Sequence, residues 1–189
     1  MTLEEKVAAV EEVFLDLDRA IAAFQQTSGL HCLHGCGKCC FKPDIEATAL
    51  EFLPFALHLY RQGVAEQWHE KLVQSSESVC LILNPTQAGA GLCSEYRYRG
   101  LICRLFGYSA RINKYGAREL VTCQILKTEQ ATSVARADDP SVEVPLMTDH
   151  TMRLHAIDPD LARDRYPINQ AIRKALEQVM HYYAYRDLT

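Results

Sequence analysis

His31-Cys32-Leu33-His34-Gly35-Cys36-Gly37-Lys38-Cys39-Cys40 holds four of the chain's eight cysteines within nine residues, and the other four, Cys80, Cys93, Cys103 and Cys123, stand singly further on. Such a cluster reads as a metal site. A soft metal draws several thiolates to within a few Å of one point, with Zn–S bonds of about 2.3 Å in a tetrahedral site. One tight turn is the simplest way to bring two or three of them together. Gly35 and Gly37 permit the positive φ angles that let such a turn curl and aim its amides at sulfur. Cys39 and Cys40 form an adjacent pair whose side chains, in extended chain, leave on opposite sides. That spacing predicts that Cys40 reaches a different partner set from Cys39, drawn from Cys80 and Cys123.

The rest of the composition bounds the reading. At 189 residues, with 48% hydrophobic residues and a net charge of -4, the chain is expected to form one domain over 1–189 with its own core. Residues 32–123 form the cysteine-cluster region, and helices over 147–189 are expected to pack on it. No basic excess points to nucleic acid, and no apolar stretch approaches the roughly 18 residues of a membrane span. The N-terminus lacks the pattern of a signal peptide, so a cytoplasmic protein is expected. In a reducing compartment eight cysteines argue for metal ligation rather than a disulfide framework.

Periodicity gives a predominantly α-helical α+β fold with a small β-hairpin, organised around a cysteine metal centre. Val7, Val10, Val13, Phe14, Leu17, Ile21 and Phe24 predict a helix over 3–27 that stops before Gly29. A second helical region starts near Asp44, with Thr48-Ala49-Leu50-Glu51 as a capping box and Pro54 placed to kink or split it. A third runs from Val64 to Gln74. The apolar run 80–83 leads to a turn-rich loop over 84–91. Segments 105–112 and 118–123 read as a hairpin joined by Asn113-Lys114-Tyr115-Gly116. Residues 127–145 read as a polar surface excursion, followed by helices over 149–157 and 167–186.

The succession of cysteine loop, Cys80-Leu81-Ile82-Leu83, Cys93-Ser94-Glu95-Tyr96 and Arg99-Gly100-Leu101-Ile102-Cys103-Arg104 resembles the YkgJ-like cysteine-cluster (CxxCxxCC) family. Cys36, Cys39, Cys40, Cys80, Cys93, Cys103 and Arg104 match that family's pattern. The chain departs from it in the three-residue gap between Cys32 and Cys36 and in Gly100, where the family carries proline. The resemblance implies chelation of zinc or iron, and it extends to flagellin lysine methylases that share the motif.

The metal-ligand candidates are therefore Cys32, Cys36, Cys39, Cys40, Cys80, Cys93, Cys103 and Cys123. The cofactor is zinc or iron, the latter alone or in an iron–sulfur cluster. A metal ion is the expected partner, nucleic acid and membrane are not, and the pattern names no protein partner. Three function classes stay open: a metal-binding protein, a redox iron–sulfur carrier and a methylase-like enzyme. No glycine-rich nucleotide loop supports the last.

Rival motifs fare worse. Cys32-x3-Cys36-x2-Cys39 has the spacing used by radical S-adenosylmethionine enzymes, but here it follows a helix and no βα series comes after it. No cysteine is followed by proline, as the bacterial ferredoxin run expects, and paired Cys and His spacings of a zinc finger are missing. His31 and His34 read as exposed loop residues. Lys38, Lys42, Arg97, Arg99 and Arg104 lie within five residues of a cysteine and are candidates to tune thiolates, with Arg104 favoured.

Overall fold

The computed structural model describes residues 1–33, 35–87 and 90–186. In chain order it runs α1 (Leu3–Ser28), β1 (Glu46–Ala47), a 3-10 turn (Leu50–Phe52), α2 (Leu53–Arg61), α3 (Ala65–Gln74), β2 (Leu83–Gln87) and β3 (Ala90–Cys93). A second 3-10 turn (Tyr96–Tyr98) leads to α4 (Leu101–Leu105), β4 (Ser109–Ile112), β5 (Arg118–Val121), α5 (Gln124–Glu129) and α6 (Ala131–Ala137). The chain closes with α7 (Met147–Ile157), α8 (Pro159–Arg163), β6 (Tyr166–Pro167) and α9 (Ile168–Arg186). The fold is α+β and mostly helical, and among the described residues its strands form antiparallel pairs, β1 with β6, β2 with β3 and β4 with β5.

The chain divides into two compact units, one of Met1–Glu12, Gly35–Gly100 and Leu154–Thr189, the other of Val13–His34 and Leu101–Arg153. Helix α1 begins in the first and continues into the second. It starts with a reciprocal capping box, in which the Thr2 amide donates to Glu5 Oε2 at 2.8 Å and the Glu5 amide donates to Thr2 Oγ1 at 3.2 Å. It ends where Gly29, at φ 72°, leaves the helical conformation while its amide still donates to the Gln25 carbonyl at 2.8 Å.

In the first unit, α2 and α3 pack on α9, and Phe55, Leu57, Leu59, Ile172, Leu176 and Val179 are buried there. Pro54 splits its region as its missing N–H requires. The 3-10 turn stops at Phe52 and α2 restarts with Pro54 in its first turn, where no donor is needed. Glu51 is buried and accepts from the Thr48 amide at 2.9 Å, one arm of the anticipated capping box. Its neighbour Phe52 presses on Gly100: a Cβ at that glycine would lie 2.9 Å from the buried ring.

The second unit closes around Phe24, Leu30, Ala110, Leu126, Ala137, Val142 and Val144. Arg118 ties its loop down, donating to the carbonyls of Val142 at 2.8 Å and Asp139 at 2.6 Å.

Several local expectations are corrected. The expected hairpin starts at Ser109, because Leu101–Leu105 is a short helix with Leu101 and Leu105 buried. Residues 127–145 are not a surface excursion. They carry the second half of α5 and all of α6, and Ala137, Val142 and Val144 enter the core, a sparse apolar set too irregular in spacing to read as an element. The turn-rich stretch 84–91 contains a strand pair, with Leu83 opposite Cys93 and Asn84 opposite Leu92, while residues 88 and 89 lie outside the described residues. The chain after Asp44 pairs as β1 with β6 before any helix begins. Among the described residues no helix is long and apolar enough to cross a membrane.

Candidate metal centre

The cysteine loop leaves α1 under tight control. Leu30 is buried, and Gln130 brackets His31 by accepting from its amide at 3.0 Å and donating to its carbonyl at 2.5 Å. The Cys32 amide donates to the Tyr108 hydroxyl at 2.6 Å. His31 is exposed, as expected of a loop residue, and the reading of His34 falls outside the described residues.

Further along, the loop sits directly on the β2–β3 hairpin. The Gly91 amide donates to the Gly35 carbonyl at 3.2 Å, and a Cβ at Gly37 would lie 2.5 Å from the Gly91 carbonyl oxygen. The missing side chain of Gly37 thus lets two backbones touch. Gly35 and Gly37 have φ of 70° and 57°, the left-handed region that L-residues enter only at a cost. From Gly37 the chain makes consecutive tight turns, with the Cys40 amide donating to the Gly37 carbonyl at 2.8 Å and Lys42 to Cys39 at 3.4 Å. The turns bring the Cys39 and Cys40 sulfurs to 3.9 Å, against the divergence expected of extended chain.

The hairpin carries two more thiols at one end. Cys93 ends β3 opposite Leu83, and the Leu83 amide donates back to the Cys80 carbonyl at 3.0 Å. Ser94 ties the same corner through its amide and hydroxyl, both donating to the Ile82 carbonyl. Asn169 of α9 holds the approach, accepting from the Leu81 amide at 2.9 Å and donating to the Val79 carbonyl at 2.8 Å. Five of the eight cysteines, Cys36, Cys39, Cys40, Cys80 and Cys93, therefore belong to the first unit.

Hydrogen bonding and burial differentiate these thiols. The Cys40 thiol, by hydrogen bonding, does most to hold Cys39 down at about 6, helped by the amides of residues 39 and 40 and by Arg99, against burial. Burial pushes Cys80 up to about 11, and the charge of Cys93 adds to it. Burial also raises Cys93, with Arg99 acting in the opposite sense. Arg99 is thus within electrostatic reach of both the loop and the hairpin. It is held by its Nε donating to the Tyr96 carbonyl at 3.2 Å and by its guanidinium lying 3.5 Å from the centre of the Tyr96 ring. The turn that carries it is moored to α2, where Tyr98 stacks on His58 with ring centres 4.6 Å apart.

The remaining candidates lie in the second unit. Cys103 is half-buried on α4. Arg104, the favoured cation, is buried, pairs with Asp18 and lies 4.6 Å from the centre of the Phe14 ring. Cys123 packs against the unit's apolar cluster, and its sulfur accepts from the Leu126 amide at 3.5 Å as the N-cap of α5. Cys32 is exposed. Two participants escaped the sequence reading, Gly91 and the weight of Arg99. Glycine inside a strand often marks a close backbone approach, a signal that reading 84–91 as a loop conceals.

Among the described residues no three Cys, His, Asp or Glu side chains stand ready-converged for a metal ion. The donor set nonetheless suits a soft ion: five thiols on one unit, two of them neighbours in space, with Arg99 in electrostatic reach. The match to a family model settles the family: residues 31–132, more than half of the chain, match the CxxCxxCC model, described as a "putative zinc- or iron-chelating domain", and the chain belongs to that family. No curated protein and no solved structure matches the chain.

Proposed function

We propose that the protein binds zinc or iron through thiolates of the first unit, with Cys36, Cys39, Cys40, Cys80 and Cys93 sufficient to supply the ligands. The observation that carries this reading is the seating of Gly35 and Gly37 on Gly91, which ties the loop cysteines to the hairpin that ends in Cys93. A tetrahedral ion needs four thiolates, one fewer than this unit holds. Ligation closes the loop and hairpin side chains onto the ion, so binding is coupled to ordering of both. An exposed Cys39 supports a centre at the surface rather than within the core. The metal supplies a positive charge that holds the thiols deprotonated, and Arg99 offsets the charge they bring.

The test is metal analysis of anaerobically purified protein with its absorption spectrum. Zinc or iron retained by the intact chain, and lowered at least severalfold in Cys36→Ala and in Cys93→Ala, is the expected result. Full metal content in both variants would overturn the assignment.

A further inference from the structure

We infer that Cys39 and Cys40 bind one and the same ion, as neighbouring corners of its coordination shell; this rests on the metal-binding reading above. Adjacent residues in extended chain would send their sulfurs to opposite sides and so to different ions. Here the two tight turns, from Cys40 to Gly37 and from Lys42 to Cys39, fold both side chains toward each other and leave the sulfurs 3.9 Å apart. A tetrahedral ion with Zn–S bonds of about 2.3 Å places its sulfurs about 3.8 Å from one another. The pair therefore already spans one edge of such a shell.

The competing use of two close thiols, a disulfide between them, fits poorly. A disulfide usually spans Cα atoms about 4.4 to 6.8 Å apart, whereas neighbouring residues hold theirs at about 3.8 Å. Charge agrees with shared ligation. Two thiolates match the charge of a dication.

The experiment loads the full chain with 113Cd2+ as the only metal and follows scalar coupling from cysteine β-protons to cadmium. The expected result is a single 113Cd resonance coupled to the β-protons of both Cys39 and Cys40, with the Cys40 coupling lost in Cys40→Ser while that of Cys39 persists. Coupling of the two residues to different 113Cd resonances, or of Cys39 alone in the intact chain, would overturn shared ligation and leave metal binding standing. A chain that retains no cadmium would overturn the metal-binding reading and this inference together.

Discussion

Gly37 lies against the backbone of Gly91 so closely that the smallest side chain would sit 2.5 Å from the Gly91 carbonyl oxygen and 2.9 Å from its carbonyl carbon. The obstacle is backbone on a paired strand, which cannot swing aside as a side chain can. Gly35 differs: its φ of 70° is equally left-handed, but a Cβ there meets nothing within 4 Å.

Gly35→Ala should therefore cost only the left-handed conformation, about 1 to 2 kcal/mol. Gly37→Ala should cost that and also lift the loop from the hairpin. Hydrogen exchange at the Gly91 amide distinguishes the two, accelerating strongly in Gly37→Ala and little in Gly35→Ala. Metal content should fall in Gly37→Ala alone. Equal exchange in both variants would mean that the glycine contact does not seat the loop.

Arg99 supplies positive charge to both the loop and the hairpin thiols. Groups that support metal ligands from the next layer out are worth about 10- to 100-fold in affinity. Arg99→Met should weaken metal binding at least about 10-fold, as read by competition with a chelator, and unchanged binding would refute the assignment.

Glu4 fastens the start of α1 to α9. Tyr183 donates to it at 2.7 Å and is the main cause holding its carboxyl at about 2, helped by its own amide, by Tyr182 and by Thr2. A depressed folded pKa means that the unfolded chain takes up the proton first. The contribution is fully present above the ordinary value of 4.5 and is lost as pH falls toward about 2. Between those limits the intact protein should lose stability more steeply than Glu4→Gln. Thermal melts across that window check it, and parallel pH curves would refute it.

Cys123 caps α5 and packs in the second unit's core. Cys123→Ala should lower stability by about 1 kcal/mol through the lost cap and contact, with metal content unchanged. Denaturant unfolding paired with metal analysis separates this from a ligand role, in which metal would fall as well.

Much of this protein was legible in its sequence. The apolar recurrence from Val7 to Phe24 determines α1, Gly29 its end, and Pro54 the break before α2, because each depends on local stereochemistry alone. The cysteine succession and its Arg99-to-Arg104 string determined the family. Tertiary structure decided what depends on distant partners. Residues 137–144 join a core only because Phe24 and Leu30 meet them there, and a strand pair over 83–93 needs its two halves to find register. The adjacent cysteines make the same point at the smallest scale. Sequence spacing sends their sulfurs apart, and only the turns closed on Gly37 and Cys39, seated against Gly91, bring them to 3.9 Å.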